Sequence, residues 1–143
     1  METTPRCRIA LSYAKESLSR FGRSHVSSAH LVLGLLTLHG GVADNLLRKS
    51  GLSVESVEGY LSSRRSSAEE STIQDGVALG RSARLAFQRA EAEARARQFS
   101  TYLGIEHLLL GILGEESGEA TDLFASVHID REKMRRTIQE EIQ

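Results

Sequence analysis

The stretch His30-Leu-Val-Leu-Gly-Leu-Leu36 returns later in the chain as His107-Leu-Leu-Leu-Gly-Ile-Leu113, with the histidine and the glycine in register. The two copies begin 77 residues apart (107 minus 30), and the same offset carries apolar positions onto apolar positions as far as Leu61 and Ile138. Ahead of the stretch, the first helices of the two copies align only if one slips by about one residue. Repetition of this extent predicts a tandem duplication of one helical unit.

The composition is that of a globular helical protein. The chain has 143 residues, of which 40% are hydrophobic and 26% charged, and this suits one domain or two very small ones. Its one proline, Pro5, stands where it can open a helix, and no run of alternating β-branched residues predicts a strand. We therefore expect an all-α fold.

Charge and cysteine content argue against several classes of function. A net charge of −1 disfavours nucleic-acid binding, which usually requires a basic excess. The single cysteine, Cys7, cannot form an internal disulfide and is expected to be a small core residue rather than a nucleophile. No apolar run approaches the roughly 18 residues of a membrane span, and the N-terminus does not resemble a signal peptide. The expected protein is soluble and cytoplasmic and makes no membrane contact.

The two copies predict a single unit over residues 1–143 with about eight helices. Repeat 1 is expected over about 5–62 and repeat 2 over about 81–142, with four helices in each. Between them, residues 63–80 are rich in Ser, Arg, Glu and Gly and show no sustained period. This composition predicts an exposed linker that is mobile at least in part.

Two pairs of matching positions predict how closely the helices pack and how the backbone turns. Gly34 and Gly111 lie in the middle of matching helices, where a glycine costs about 1 kcal/mol relative to alanine. We expect that each glycine lets another backbone come close. Gly51 suits a left-handed turn in repeat 1, whereas His128 holds that position in repeat 2. A histidine there bears a steric cost, so we expect the second turn to differ in shape.

No motif for catalysis or metal binding is present. The sequence lacks a phosphate-binding loop, a nucleophile elbow and paired Cys or His metal motifs. His30 and His107 occupy the same place in each copy, but no set of partners converges on them in the sequence. We interpret them as structural histidines near helix ends that hydrogen-bond neighbouring backbone. The sequence therefore predicts no enzyme activity, no metal and no cofactor.

The block Tyr102-Leu-Gly-Ile-Glu-His-Leu-Leu-Leu-Gly-Ile-Leu113 resembles a block of the N-terminal domain of Clp ATPases, most closely in the ClpC branch. In that family the block usually reads Tyr-Ile-Gly-Thr-Glu-His-Leu-Leu-Leu-Gly-Leu and occurs twice. The resemblance runs from about Arg6 to Glu141 and includes both copies and the linker. It implies two tandem four-helix Clp repeats related by pseudo-twofold symmetry. It also implies a role, because these domains bind substrates and adaptor proteins ahead of AAA+ rings that unfold proteins for the Clp protease.

The resemblance implies candidate binding residues as well. Some domains of the ClpC branch recognise phosphorylated arginine, and the Glu of each Gly-Thr-Glu-His block is implicated. The matching positions here are Ala29 and Glu106, and the preceding Thr is matched by Ser28 and Ile105, so neither copy keeps the Thr-Glu pair. Glu106 and Ser28 are therefore the candidate phosphoarginine- or peptide-binding residues. The carboxylate of Glu106 can bind a guanidinium through both of its oxygens. The alternative for Glu106 is an acidic residue that complements a helix N-terminus.

Two functions follow from the resemblance, and the sequence leaves both open. The first is a non-enzymatic module of the Clp system that binds protein substrates, adaptor proteins or subunits of the Clp ATPase and protease. Its binding surface is expected to be apolar and to lie in a groove at the junction of the repeats. The alternative is a stand-alone accessory or decoy that modulates the Clp complex or sequesters cyclic peptides that target it.

Overall fold

Eight helices carry the fold in a computed structural model that describes residues 1–64, 71–98 and 101–141, with no side-chain detail for 97 and 98. Each repeat holds four α-helices, and repeat 1 also contains a short 3-10 helix (Ser19–Phe21), which confirms the predicted all-α class. None of the described helices has the length and apolar character of a membrane span. Residues 65–70 of the predicted linker, and residue 142 at the end of repeat 2, lie outside the described ranges. The helices are α1 (Pro5–Glu16), α2 (Ser28–Thr37), α3 (Val42–Lys49), α4 (Val54–Ser62), α5 (Arg81–Gln98), α6 (Ile105–Leu113), α7 (Glu119–Ser126) and α8 (Arg131–Glu141).

The repeated stretch forms the two central helices, α2 and α6. Every residue of α2 from Ser28 to Leu36 is buried, as is every residue of α6 except Glu106. Helix α2 packs against α1, α3 and α4 of its own repeat and against α5, α6 and α7 of the other. Because these helices are apolar on all sides, they are stable only when neighbours cover every face.

The glycines in the middle of α2 and α6 mark the closest helix contacts. A Cβ on Gly34 would lie 2.2 Å from the carbonyl oxygen of Ala10 in α1, and a Cβ on Gly111 would lie 2.1 Å from that of Ala86 in α5. Neither space can hold a methyl group, so the helices touch through their backbones as expected. Ala10 and Ala86 are 76 residues apart, one fewer than the glycines, which is the predicted slip of one residue between the first helices.

Short strands join the two repeats to each other. Strand β1 (Glu2–Thr3), which precedes α1, pairs in parallel with β4 (Tyr102–Leu103), which precedes α6. In the matching place, Leu79 ahead of α5 forms a parallel bridge with Val26 ahead of α2. The N–H of Val26 donates to the Ala78 carbonyl at 2.8 Å, and its carbonyl accepts from the N–H of Gly80 at 2.8 Å. Each repeat thus pairs the segment that enters its first helix with the other repeat.

The predicted linker contains a β-hairpin, which corrects the sequence analysis. Strand β2 (Thr72–Gln74) pairs antiparallel with β3 (Val77–Leu79). Asp75 and Gly76 form the turn with φ values of +50° and +79°, as a two-residue type I′ hairpin requires. Because the Thr3 hydroxyl donates to Asp75 Oδ2 at 2.7 Å, the hairpin is also attached to the N-terminal strand.

The expectation that the turn at His128 differs in shape is wrong. His128 adopts the left-handed conformation with φ of +57°, where Gly51 has +104°. The turn bonds also match: the N–H of Gly51 donates to the Arg48 carbonyl at 3.1 Å, and that of His128 donates to the Ala125 carbonyl at 3.2 Å. The surrounding repeat therefore imposes the turn, and His128 bears the steric cost of a non-glycine residue in it.

Candidate functional site

A cleft of about 330 Å³ opens where the two repeats meet, between the approach to α2, the start of α5 and the start of α7. We call it the junction cleft. Most of its lining side chains are charged or carry hydroxyls, so this cleft is more polar than the groove expected at the junction. The lining residues are Arg23, His25, Ser27, Arg81, Ser82, Leu85, Ser117, Gly118 and Glu119.

An ion pair between the repeats lies in the junction cleft. Arg23 Nη1 donates to Glu119 Oε1 at 2.7 Å, and the Ser27 hydroxyl donates to the other carboxylate oxygen of Glu119. The Arg23 side chain is only 3% exposed and that of Glu119 25%, so the pair is largely shielded from water. Charge-assisted bonds of this kind are stronger than neutral ones, and this pair fixes α7 against the segment that precedes α2.

Ser28, one of the two candidate binding residues, is fully buried. Its hydroxyl accepts a hydrogen bond from the N–H of Ala120 at 3.0 Å, and its own N–H donates to the Ser82 hydroxyl at 2.9 Å. Both bonds cross from repeat 1 to repeat 2. The structure therefore gives Ser28 an architectural place between α2, α5 and α7 and leaves it no free surface for a ligand.

Glu106, the other candidate, is the one residue of α6 that is not buried, and its side chain is half-buried. Among the described residues nothing donates a hydrogen bond to its carboxylate or pairs with it. A Cβ on Gly104 would lie 3.1 Å from Glu106 Oε2 and 3.8 Å from Thr4 Cγ2, so the carboxylate rests beside the start of α1. Gly104 matches Ser27 at the repeat offset, which makes the Glu106 region the counterpart of the junction cleft.

His30 and His107 act at the starts of α2 and α6. The N–H of Ser27 donates to His30 Nδ1 at 3.0 Å, and that of Gly104 donates to His107 Nδ1 at 3.1 Å. Each ring thus satisfies the backbone of its helix cap, as in a capping box. Burial lowers the pKa of His30 to about 4, helped by the charge of Arg23, and burial also lowers the pKa of His107. Both rings are neutral at pH 7.

Cys7 lies in the core with no solvent exposure. Burial, with a further contribution from the charge of Asp75, raises the pKa of its thiol to about 12. A nucleophilic cysteine needs a thiolate, which this environment suppresses at neutral pH. The position agrees with the expectation of a small core residue.

Arg23 and Glu119 were not among the site residues predicted from the sequence. Glu119 offered a signal, because it occupies the repeat position that holds Val42 in the first copy. A charged residue in place of an apolar one at the start of a helix indicates a local difference between the copies. Arg23 gave no comparable signal, since its importance comes from burial against an element 96 residues away.

Comparisons with known proteins agree on one family. The family described as "Clp repeat (R) N-terminal domain" matches residues 2–126. A "Probable ATP-dependent Clp protease ATP-binding subunit" of Chlamydia pneumoniae is 30% identical over 140 residues, which cover 98% of this chain and 16% of that protein. The "Negative regulator of genetic competence ClpC/MecB" of Bacillus subtilis is 27% identical over 135 residues, which cover 94% of this chain and 16% of that protein.

Solved structures show the same fold. The N-terminal domain of the chaperone ClpD from Arabidopsis thaliana superposes with a TM-score of 0.80 at 18% identity, covering 99% of this chain and 94% of that one. The Hsp104 N-terminal domain from Candida albicans gives a TM-score of 0.74 at 15% identity, covering 99% of this chain and 91% of that one.

Proposed function

The chain belongs to the Clp repeat N-terminal domain family, and on this premise we propose that it is a non-enzymatic protein-binding domain of the Clp unfoldase and protease system. Its ligands are protein substrates or adaptor proteins, and it acts in the cytoplasm. The chain spans about 16% of the length of the Clp subunits that it matches. The match therefore supports a role as a binding domain and carries no argument about the rest of those longer subunits.

The proposal rests on the burial of Glu106 and on the surroundings of its carboxylate. Glu106 is half-buried, and no described residue pairs with its carboxylate. A carboxylate at a partly buried position gains more from an incoming cation than one on an open surface. Arginine is the fitting side chain, because its planar guanidinium can bind both carboxylate oxygens at once. We therefore propose that Glu106 binds an arginine or phosphoarginine side chain of a protein ligand.

The neighbours of Glu106 support this use. His107 is held by the Gly104 backbone and is neutral, so it adds no competing positive charge beside the carboxylate. The Cys7 thiol nearby is neutral as well. Ser28 is left out of the proposed site because its hydroxyl and its N–H already bond within the protein.

Calorimetry with a phosphoarginine peptide and its arginine and lysine counterparts tests the proposal. We expect saturable binding of the parent protein, and a loss of about tenfold or more in Glu106→Gln, since a charged hydrogen bond contributes about 1.5–3 kcal/mol. Glu55→Gln is the matched control. Glu55 and Glu106 are both the second residue of their helices, α4 and α6, so both variants lose the same interaction with a helix N-terminus.

Three results decide between the two roles of Glu106. Retained affinity in Glu55→Gln together with its loss in Glu106→Gln supports a binding carboxylate. A flat titration of the parent protein contradicts the arginine site. Equal losses of thermal stability in the two variants, without any change in binding, would leave Glu106 as a residue that stabilises the start of α6.

A further inference from the structure

A groove of about 410 Å³ lies where α3 of repeat 1 packs against α8 of repeat 2. We call it the α3–α8 groove. Its apolar lining residues are Leu46, Ile129 and Met134, and the first two are only partly buried. The other lining residues are Lys49, Ser50, His128, Asp130, Lys133 and Thr137. The volume is within the usual range for a ligand-binding cleft.

The repeat offset of 77 residues gives this groove a counterpart between α7 and α4. The three apolar residues of the α3–α8 groove have apolar matches there, and all three matches are buried. They are Leu123 for Leu46, Leu52 for Ile129 and Val57 for Met134. The duplication therefore built the same apolar surface twice, and it is covered in one place and partly open in the other.

Tyr60 accounts for the difference, because it occupies the position that matches Thr137. Its ring packs against the core and its hydroxyl is buried. Burial raises the pKa of the Tyr60 phenol to about 12, and the carboxylates of Asp122 and Glu119 in α7 act in the same direction. These carboxylates place the ring beside α7. Threonine has no ring to fill the same space, so the α3–α8 groove stays open.

His128 is a second difference between the two places. It lines the α3–α8 groove in the left-handed conformation with φ of +57°, whereas its match in the counterpart is Gly51. A non-glycine residue that is kept in a strained conformation is found most often where its side chain has a function. The strain at His128 therefore indicates a use for an imidazole at the edge of this groove.

The remaining lining residues favour an aromatic ligand. A lysine ammonium attracts the face of an aromatic ring, and a thioether such as that of Met134 makes favourable contacts with a ring. Two lysines line the α3–α8 groove at positions where the counterpart has serines; they are Lys49 for Ser126 and Lys133 for Ser56. The Asp130 carboxylate accepts from the N–H of Lys133 at 3.1 Å and so caps the start of α8. An aromatic side chain can be uncharged, so its fit does not depend on the net charge of the lining.

From these observations we infer that the α3–α8 groove binds an aromatic side chain of a protein ligand. The ring takes the place that Tyr60 fills in the counterpart and packs on Leu46, Ile129 and Met134. His128 and the two lysines lie around it. The inference rests on the proposed protein-binding function for the kind of partner. The lining contains neither Glu106 nor its neighbours, so either site can fail without the other.

Nuclear magnetic resonance of methionine methyl groups tests the inference. The chain has two methionines, Met1 and Met134, so protein labelled with [¹³C-methyl]methionine gives one signal inside the groove and one outside its lining. The probe is N-acetylphenylalanine amide, and N-acetylleucine amide is the matched aliphatic control. We expect the phenylalanine probe to shift the Met134 signal saturably and to leave the Met1 signal in place. The leucine control should bind about threefold more weakly because it lacks a ring.

Three variants locate the binding. Thr137→Tyr introduces the residue of the matching position, so it should close the groove and abolish the shift of Met134. Ser12→Tyr adds the same ring at an exposed position of α1 outside the groove lining and should bind as the parent does. His128→Gly suits the left-handed turn and removes the imidazole, so we expect a folded protein that binds the probe about threefold more weakly.

Saturable shifts of Met134 that Thr137→Tyr abolishes and Ser12→Tyr retains support the α3–α8 groove. The site is overturned if the probe leaves Met134 unchanged in the parent, or if Thr137→Tyr still binds it. Equal affinity for the phenylalanine and leucine probes overturns the aromatic assignment. If Thr137→Tyr does not fold, His128→Gly decides, and an unchanged affinity in that variant contradicts the inference.

Discussion

Replacing Gly34 with alanine tests the packing of the central helices most sharply. The new Cβ would lie 2.2 Å from the carbonyl oxygen of Ala10, more than 1 Å inside van der Waals contact. A backbone carbonyl cannot relieve this clash by changing rotamer, as a side chain can. Overpacking of this kind costs about 3 kcal/mol, whereas alanine gains about 1 kcal/mol over glycine within a helix. The net expectation is a loss of about 2 kcal/mol in the free energy of unfolding.

Gly59 in the middle of α4 provides the matched control. A Cβ there would meet nothing within 4 Å, so Gly59→Ala should gain about 1 kcal/mol from helix propensity alone. Urea denaturation followed by far-UV circular dichroism measures both variants against the parent. In thermal melts the expected shifts are about 8 °C downward for Gly34→Ala and about 4 °C upward for Gly59→Ala. If Gly34→Ala is as stable as the parent or more stable, the close approach of α2 to α1 is wrong.

Three further predictions follow from single residues. Burial lowers the pKa of His30 to about 4, so the unfolded chain binds this proton before the folded chain does as the pH falls below about 6.5. Up to about 3 kcal/mol of the free energy of unfolding is therefore lost by pH 4. Urea denaturation at a series of pH values should show a shallower loss of stability with falling pH in His30→Gln than in the parent, and an equal loss in both would refute this. Because burial raises the pKa of Cys7 to about 12, an aromatic disulfide reagent should label it at neutral pH only at the rate of unfolding, and rapid labelling of the folded protein would contradict its position. His128→Gly should raise the free energy of unfolding by about 1 kcal/mol because the left-handed backbone suits glycine, and a decrease would show that the histidine side chain stabilises the turn.

The repeated stretch carried most of the fold information in the sequence. Matching glycines at positions 34 and 111 indicated both the duplication and the close helix contacts, because an apolar helix tolerates a central glycine chiefly where a backbone approaches. The hairpin turn was also readable. Asp75-Gly76 is a strong hairpin signal, since it lies between Thr72-Ile73-Gln74 and the apolar run Val77-Ala78-Leu79, but the polar composition of the surrounding linker obscured it.

Less of the candidate site than of the fold could be predicted from the sequence. Glu106 could be singled out through its place in a repeated block, but the burial of Ser28 depends on α7, which packs across from the other repeat. The Arg23–Glu119 pair joins residues 96 positions apart, and no local pattern indicates that a surface arginine will be enclosed. The polar character of the junction cleft results from such long-range contacts, whereas an apolar groove was the expectation from symmetry alone.

Affinity capture with the immobilised domain, read by mass spectrometry from the cells that produce it, tests the proposed function most directly. The parent protein and the Glu106→Gln and Glu55→Gln variants are compared in parallel. We expect the parent and Glu55→Gln to enrich a shared set of Clp substrates or adaptor proteins, and Glu106→Gln to lose this set. Capture of the same proteins by all three, or of none by the parent, would contradict a protein-binding role centred on Glu106.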